Sequence, residues 1–209
     1  MARIERTCYS AAVSKGQLTK TAILDEAVQV ASRLGFGGLS IGQLAEQTAM
    51  SKSGLFAHFR SKEQLQLQTL DRARLKFVDV VVRPALAAQR GEQRVRALFG
   101  AWLGWTEQSL SGGCIFVAAA TELDDQPGPL RDALVKNERD WLELIANVAA
   151  TAVHDGDFHA DLDIDQFAHE MHSLMLGHQH ATRLLRDDKA GERTRRAFES
   201  LVAAARHDR

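Results

Sequence analysis

Apolar positions recur every three or four residues along most of the chain, and the breaks fall at polar clusters carrying glycine or proline. From Thr19 to Leu34, the residues Ile23, Ala27, Val30, Ala31 and Leu34 repeat at helical spacing. Gly35 then stands where a left-handed cap belongs, ahead of apolar Phe36. Ser40-Ile-Gly-Gln43 is a capping box that predicts a short second helix through Thr48, with Ile41, Leu44 and Ala45 facing inward. After a break at Ala49-Met50, the Ser51 side chain caps a third short helix through Phe59, with Leu55 and Phe59 buried. Ser61-Lys-Glu-Gln64 repeats the box and starts a long helix carrying Leu67, Leu70, Phe77 and Val81 before Pro84.

Beyond Pro84 the elements lengthen. A helix is predicted over Glu92 to Leu110, broken by "SGGC" at 111–114, and a short apolar helix over Cys114 to Leu123. The clearest loop is "DDQPGP" at 124–129, followed by a helix from Leu130 to Val153. Asp163-x-x-Gln166 caps another helix running to about Arg186, and a last helix spans roughly Ala190 to Arg206. No segment alternates like a strand, so the expected fold is all-α.

Composition narrows the setting. At 209 residues and 45% hydrophobic content the chain can bury an ample core. No window approaches a membrane span and the N-terminus lacks an apolar leader core, so the expectation is a cytoplasmic protein with no membrane partner. Cys8 and Cys114 match no metal-ligand spacing, and neither a disulfide framework nor a cofactor is expected. The net charge of −1 divides unevenly: residues 1–62 carry +4 and the remainder −5. A basic front end suits a polyanionic partner, although such an excess also arises by chance.

The second and third helices, joined by about three residues, match a helix-turn-helix. That unit presents the first turn of its second helix to base edges in a major groove. Lys52, Ser53 and Gly54 are small or hydrogen-bonding, as that role demands, while Leu55 and Phe59 anchor the helix. Helix starts at Ser40, Ser51 and Ser61 expose unpaired amides that favour phosphate, and Lys62 adds a full charge. Taken singly, each serine is no more than a cap.

The stretch "LSIGQLAEQTAMSKSGLFAHFRSKEQL", preceded by "ILDEAVQVASRLGFGGLS", resembles the DNA-binding signature of the tetracycline-repressor-like (TetR/AcrR) family over residues 19–67. The resemblance implies a homodimeric, all-helical repressor that binds a palindromic double-stranded DNA operator and is released by a small-molecule effector. It implies base readout by Lys52, Ser53 and Gly54 and phosphate contacts from Ser40, Ser51, His58 and Lys62. It also implies a DNA-binding domain over 1–62, with a flexible arm over about 1–16, and an effector-binding and dimerisation domain over 63–209. Two departures stand out: Ala49 replaces the usual turn glycine, and Phe56 replaces the usual tyrosine, leaving Phe56 to packing.

Past the fourth helix the resemblance names no ligand. Trp102, Trp105, Phe116, Trp141, Met171, His172 and Met175 are candidate pocket residues, with core packing as the alternative for each. Cys114 at a helix start permits a thiol of lowered pKa and a redox role; burial as an inert residue is the alternative. His169 and His172 lie three apart, not at the spacing of a zinc hydrolase, and no metal site is expected. Phe167, Leu174, His178, Ala181 and Leu185, with Phe198, Leu201 and Val202, form two stripes suited to a twofold four-helix dimer interface, or to packing within one subunit. No catalytic order of residues is present, so an enzyme is not expected; the remaining alternative is a helical ligand- or redox-sensing protein whose front unit is structural.

Overall fold

Ser51 Oγ accepts the Gly54 N–H at 3.1 Å and Ser61 Oγ the Gln64 N–H at 3.1 Å, so both helix starts form by local capping. Asp163 does the same for Gln166 at 2.9 Å, and Ser40 for Gln43 at 3.2 Å. The computed structural model describes residues 15–48 and 50–206. Its helices are α1 (Lys15–Gly38), α2 (Ile41–Thr48), α3 (Lys52–His58), α4 (Lys62–Phe77), α5 (Arg83–Ala87), α6 (Glu92–Gly104), α7 (Ile115–Leu123), α8 (Pro129–His154), α9 (Ile164–Arg183) and α10 (Ala190–Ala205). No strand occurs among the described residues; Phe158 and Arg206 form an isolated bridge. The expected arm falls outside the described residues up to residue 14, as do Cys8 and the Ala49 turn, and α1 already starts at Lys15.

α1 is two helical segments joined across a kink at Gly35, at φ 74°, ψ 173°, so the helix breaks where expected, with positive φ but without the left-handed helical ψ of a cap. Beyond the kink the burial shifts: Phe36 and Leu39 are enclosed, while Leu34, the last member of the expected stripe, is 54% exposed.

The long helix expected before Pro84 passes through that proline. A π-helical turn, Val78–Val82, joins α4 to α5, and Pro84 sits in the first turn of α5. Proline has no N–H to give an α-helical ladder, and a widened turn absorbs the mismatch without ending the helix. A second π turn, Trp105–Ser109, extends α6.

Two helices dominate the join between the front unit and the rest. α1 packs along α4 and α7, and α4 reaches α8. Asp25 on α1 receives both Arg72 nitrogens at 2.8 and 2.9 Å and Lys76 at 3.1 Å. The "SGGC" turn docks on α1 as well: Gln29 bridges Ser109 and Ser111, and Gly112 donates to Ser32 Oγ at 3.2 Å. Across the bundle Phe99 of α6 stacks on Phe198 of α10 at 3.9 Å.

Candidate functional site

At the front end, α2 buries Ile41, Leu44 and Ala45 and α3 buries Leu55, with Phe59 enclosed just past its end. These anchors turn the opposite face outward. Ser51, Lys52 and Ser53 are exposed and Gly54 half-buried. A side chain on Gly54 would bring its Cβ to 3.2 Å from Ser51 Oγ, so glycine keeps the cap uncrowded. Ser40 Oγ and Lys52 Nζ both lie within 4 Å of the Cβ position of Gly42, which gathers a hydroxyl and an ammonium at the start of α2. Phe56, expected to pack, is 56% exposed and shares the outward face of Lys52, one turn on. His58 is half-buried.

Lys62 has an internal partner that its sequence position does not reveal: its Nζ donates to the Gly37 carbonyl at 2.8 Å, closing the end of α1. Two further donors of the ammonium stay available for an anion.

A second site lies between α4, α6, α7, α8 and α9. Phe77, Trp102, Cys114, Phe116, Val117, Asn137, Glu138, Trp141 and His172 line a cleft of about 40 Å³. Of the seven candidate pocket residues, Trp102, Phe116, Trp141 and His172 are there. Trp105, Met171 and Met175 are not; all three are fully enclosed in the core, where an apolar stripe and a pocket wall look alike in sequence. Trp105 Nε1 is buried without a partner in hydrogen-bond geometry, its electrostatic effect falling on the Cys114 thiol.

Cys114 does not have the lowered pKa expected at a helix start. Burial pushes its thiol up to about 11, outweighing the amides of Phe116 and Val117. Glu138 and Asn137 were not singled out by sequence reasoning, because one carboxylate in the charged run of α8 carries no distinguishing pattern. Glu138 Oε2 stands 3.5 Å from His172 Nε2. Burial raises the carboxyl above its ordinary value; burial, with His169 nearby, lowers the His172 ring. His169 itself is exposed, and no group of three metal-ligating side chains occurs among the described residues.

The two stripes read as dimer elements divide. Phe167, His178, Phe198 and Val202 are enclosed within this subunit, His178 against Thr194 and the Trp102 ring. His178 and Phe198 are spent on contacts between α9, α10 and α6, and Phe167 meets the ring of Phe158 ahead of α9, because stripes this apolar first serve the subunit's own bundle. Leu174, Ala181 and Leu201 are half-buried, and Leu185 is 63% exposed beside Leu184 at 69%.

Residues 23–69 match the family model for bacterial regulatory proteins of the tetR family, and residues 91–198 that for the tetracyclin repressor-like C-terminal domain, the latter over half of the chain. The chain belongs to the TetR family. It is thus a transcriptional regulator with a helix-turn-helix DNA-binding domain followed by a helical domain. A TetR-family regulator from Cytophaga hutchinsonii is 19% identical and superposes with a TM-score of 0.82, over 95% of this chain and 100% of that one. A regulator from Saccharomonospora viridis in complex with choline is 21% identical, TM-score 0.75, over 92% and 99%. AibR, in complex with isovaleryl coenzyme A and operator DNA, is 18% identical, TM-score 0.66, over 88% and 96%. At these identities the likeness is one of fold. No curated protein matches the chain. No helix among the described residues is long and apolar enough to cross a membrane.

Proposed function

We propose that this TetR-family protein is a cytoplasmic repressor that binds a palindromic operator as a homodimer and releases it when a small effector occupies the cleft behind α7. The carrying observation is the first turn of α3: Lys52 and Ser53 exposed, Gly54 beside them, above fully enclosed Leu55 and Phe59. That turn meets base edges, while Ser40, Ser51, His58 and Lys62 meet phosphates. The DNA-binding domain is residues 1–62 and the effector-binding and dimerisation domain 63–209. Leu174, Ala181, Leu185 and Leu201 supply the dimer surface, with exposed Leu176 and Leu184 beside them. AibR, bound to both an acyl coenzyme A and operator DNA, supports a mechanism that links the two sites.

Release requires an effector with unequal affinity for two conformations. α7 is suited to transmit that preference. Its first turn, with Cys114, Phe116 and Val117, walls the cleft, and at its far end Glu122 holds the amides of Phe36 and Gly37 next to the helix-turn-helix. Movement of this one helix therefore reaches α1, and through α1 the pair of recognition helices.

Selection of bound duplexes from a random pool, then titration of the winner at several salt concentrations, tests the reading. Lys52→Ala weakens binding in a sequence-dependent way, and Lys62→Ala weakens it across all sequences with a shallower salt slope. Absence of any salt-dependent duplex binding by the wild type overturns it.

A further inference from the structure

TetR-fold neighbours take ligands as unlike as choline and an acyl coenzyme A, so the ligand class has to be argued from the cleft itself. Its walls are aromatic. Phe77 meets the rings of Phe116 and Trp141 edge-on, at 5.5 and 5.0 Å between centroids, and Trp102 closes the same space. Glu138 is the acidic residue of the lining, and neither lysine nor arginine joins it. Its side chain is 25% exposed and that of His172 18%, which sets the two at the mouth with the rings beneath.

The charge balance is incomplete. His172 is the basic group within reach of Glu138, yet its protonation is disfavoured by burial, so near neutral pH it remains an uncharged ring and leaves the carboxylate unmatched. A largely buried carboxyl without a cation is driven toward its neutral acid, the direction in which burial moves Glu138, and a cation beside it would restore the carboxylate. An anionic ligand would add a second negative charge with no cationic side chain to receive it. A neutral ligand would strip water from Glu138 and return at most a hydrogen bond, without the opposite charge. A cation answers both demands, by pairing with the carboxylate and lying against aromatic rings, whose π-systems attract positive charge.

We infer that this cleft binds a compact organic cation, an alkylammonium ion of a few carbons, held between Glu138 and the rings of Phe77, Trp102, Phe116 and Trp141. The inference rests on the reading of the cleft as the effector site and names that effector's chemical class. A volume of about 40 Å³ takes about three waters, roughly the bulk of one tetramethylammonium ion. Asn137 supplies a polar partner for a hydroxyl or carbonyl elsewhere on a larger member of the class.

The test is titration of the wild-type protein with tetramethylammonium chloride, with tert-butanol and pivalate as neutral and anionic molecules of similar shape, at constant ionic strength. Tryptophan fluorescence reads occupancy, since Trp102 and Trp141 stand in the walls. The ammonium ion gives a saturable response, tert-butanol binds at least tenfold more weakly, and pivalate does not bind. Glu138→Gln, close to isosteric, weakens ammonium binding at least tenfold while keeping the wild-type melting temperature within a few degrees. Equal binding of tert-butanol, preference for pivalate, unchanged affinity in Glu138→Gln, or no saturable response overturns the assignment. Duplex binding is measured on the same samples. Cation binding by a protein with no affinity for DNA defeats the repressor reading and leaves this one intact; operator release by a neutral or anionic molecule, without cation binding, does the reverse.

Discussion

Glu122 Oε2 accepts the Phe36 N–H at 2.7 Å, and the companion oxygen accepts that of Gly37. A carboxylate from the end of α7 thereby satisfies two amides freed by the kink at Gly35. Lys62 and Gln66 take the carbonyls of the same turn, Gly37 at 2.8 Å and Phe36 at 2.7 Å. Two elements, α4 and α7, thus meet at one turn of α1. Glu122→Ala leaves two amides without their acceptor and lowers stability by about 1–3 kcal/mol in urea denaturation. Glu122→Gln, which retains one good acceptor, falls between. Equal denaturation midpoints for all three proteins would remove this joint from the account.

Gly112 is required by space rather than by backbone conformation. A Cβ there would lie 1.8 Å from the Ser32 carbonyl oxygen and 2.6 Å from the Arg33 nitrogen, both main-chain atoms of α1. Gly112→Ala accordingly forces the turn off α1 and costs about 1–3 kcal/mol or more. Gly100 offers the control: nothing stands within 4 Å of its Cβ position, inside α6. Gly100→Ala stabilises by about 0.5–1 kcal/mol through lost chain entropy in the unfolded state. Denaturant midpoints for the two variants should move in opposite directions.

Phe56 separates folding from recognition. With 56% of its surface open to solvent it contributes little to the core, so Phe56→Ala changes folding stability by no more than about 0.5 kcal/mol. Its ring lies on the face of α3 that carries Lys52, where an apolar group suits a thymine methyl. Loss of that contact costs about 1 kcal/mol of operator binding, roughly fivefold. A melting temperature that falls while DNA affinity holds would reassign Phe56 to packing.

Glu92 locks the C-terminal end of α10 to the start of α6. Arg206 approaches it at 2.7 Å and Arg96 at 2.6 Å, and Arg206, then Arg96, hold its carboxyl down at about 2 against the burial that opposes them. A carboxyl depressed in the folded state adds stability that is complete above its unfolded value near 4.5 and disappears as pH falls through about 2. The arginines stay in contact with water, so screening reduces the effect: Glu92→Gln costs about 1–2 kcal/mol at neutral pH. Melting curves of variant and wild type should converge as pH is lowered from about 4.5 to about 2.

The starts of α3, α4 and α9 were legible because a serine or aspartate side chain caps its own next turn, an interaction decided within four residues. The π turns at Val78–Val82 and Trp105–Ser109 were not. Whether a helix widens by one residue is settled by what it packs against, and the apolar spacing hardly differs. The same limit explains Met171, Met175 and Phe198, whose stripes signal burial without saying against what. Glu138 marks the opposite failure: of the rings that share its cleft only Trp141 lies on α8, while Phe77, Trp102 and Phe116 come from α4, α6 and α7, and no local pattern in α8 encodes them. The charge of Lys62 at the start of α4 is plain in the sequence, but its bond to Gly37 joins residues 25 positions apart.

The enclosed thiol of Cys114 has a practical corollary. Thiolate is the form that alkylating reagents attack, and at about 11 this one is almost wholly protonated and shut away from solvent. Iodoacetamide can mark the peptide that contains it only during excursions in which the bundle comes apart, so the labelling rate, followed by mass spectrometry, becomes a clock for those openings. A ligand lodged beside α7 ought to slow that clock.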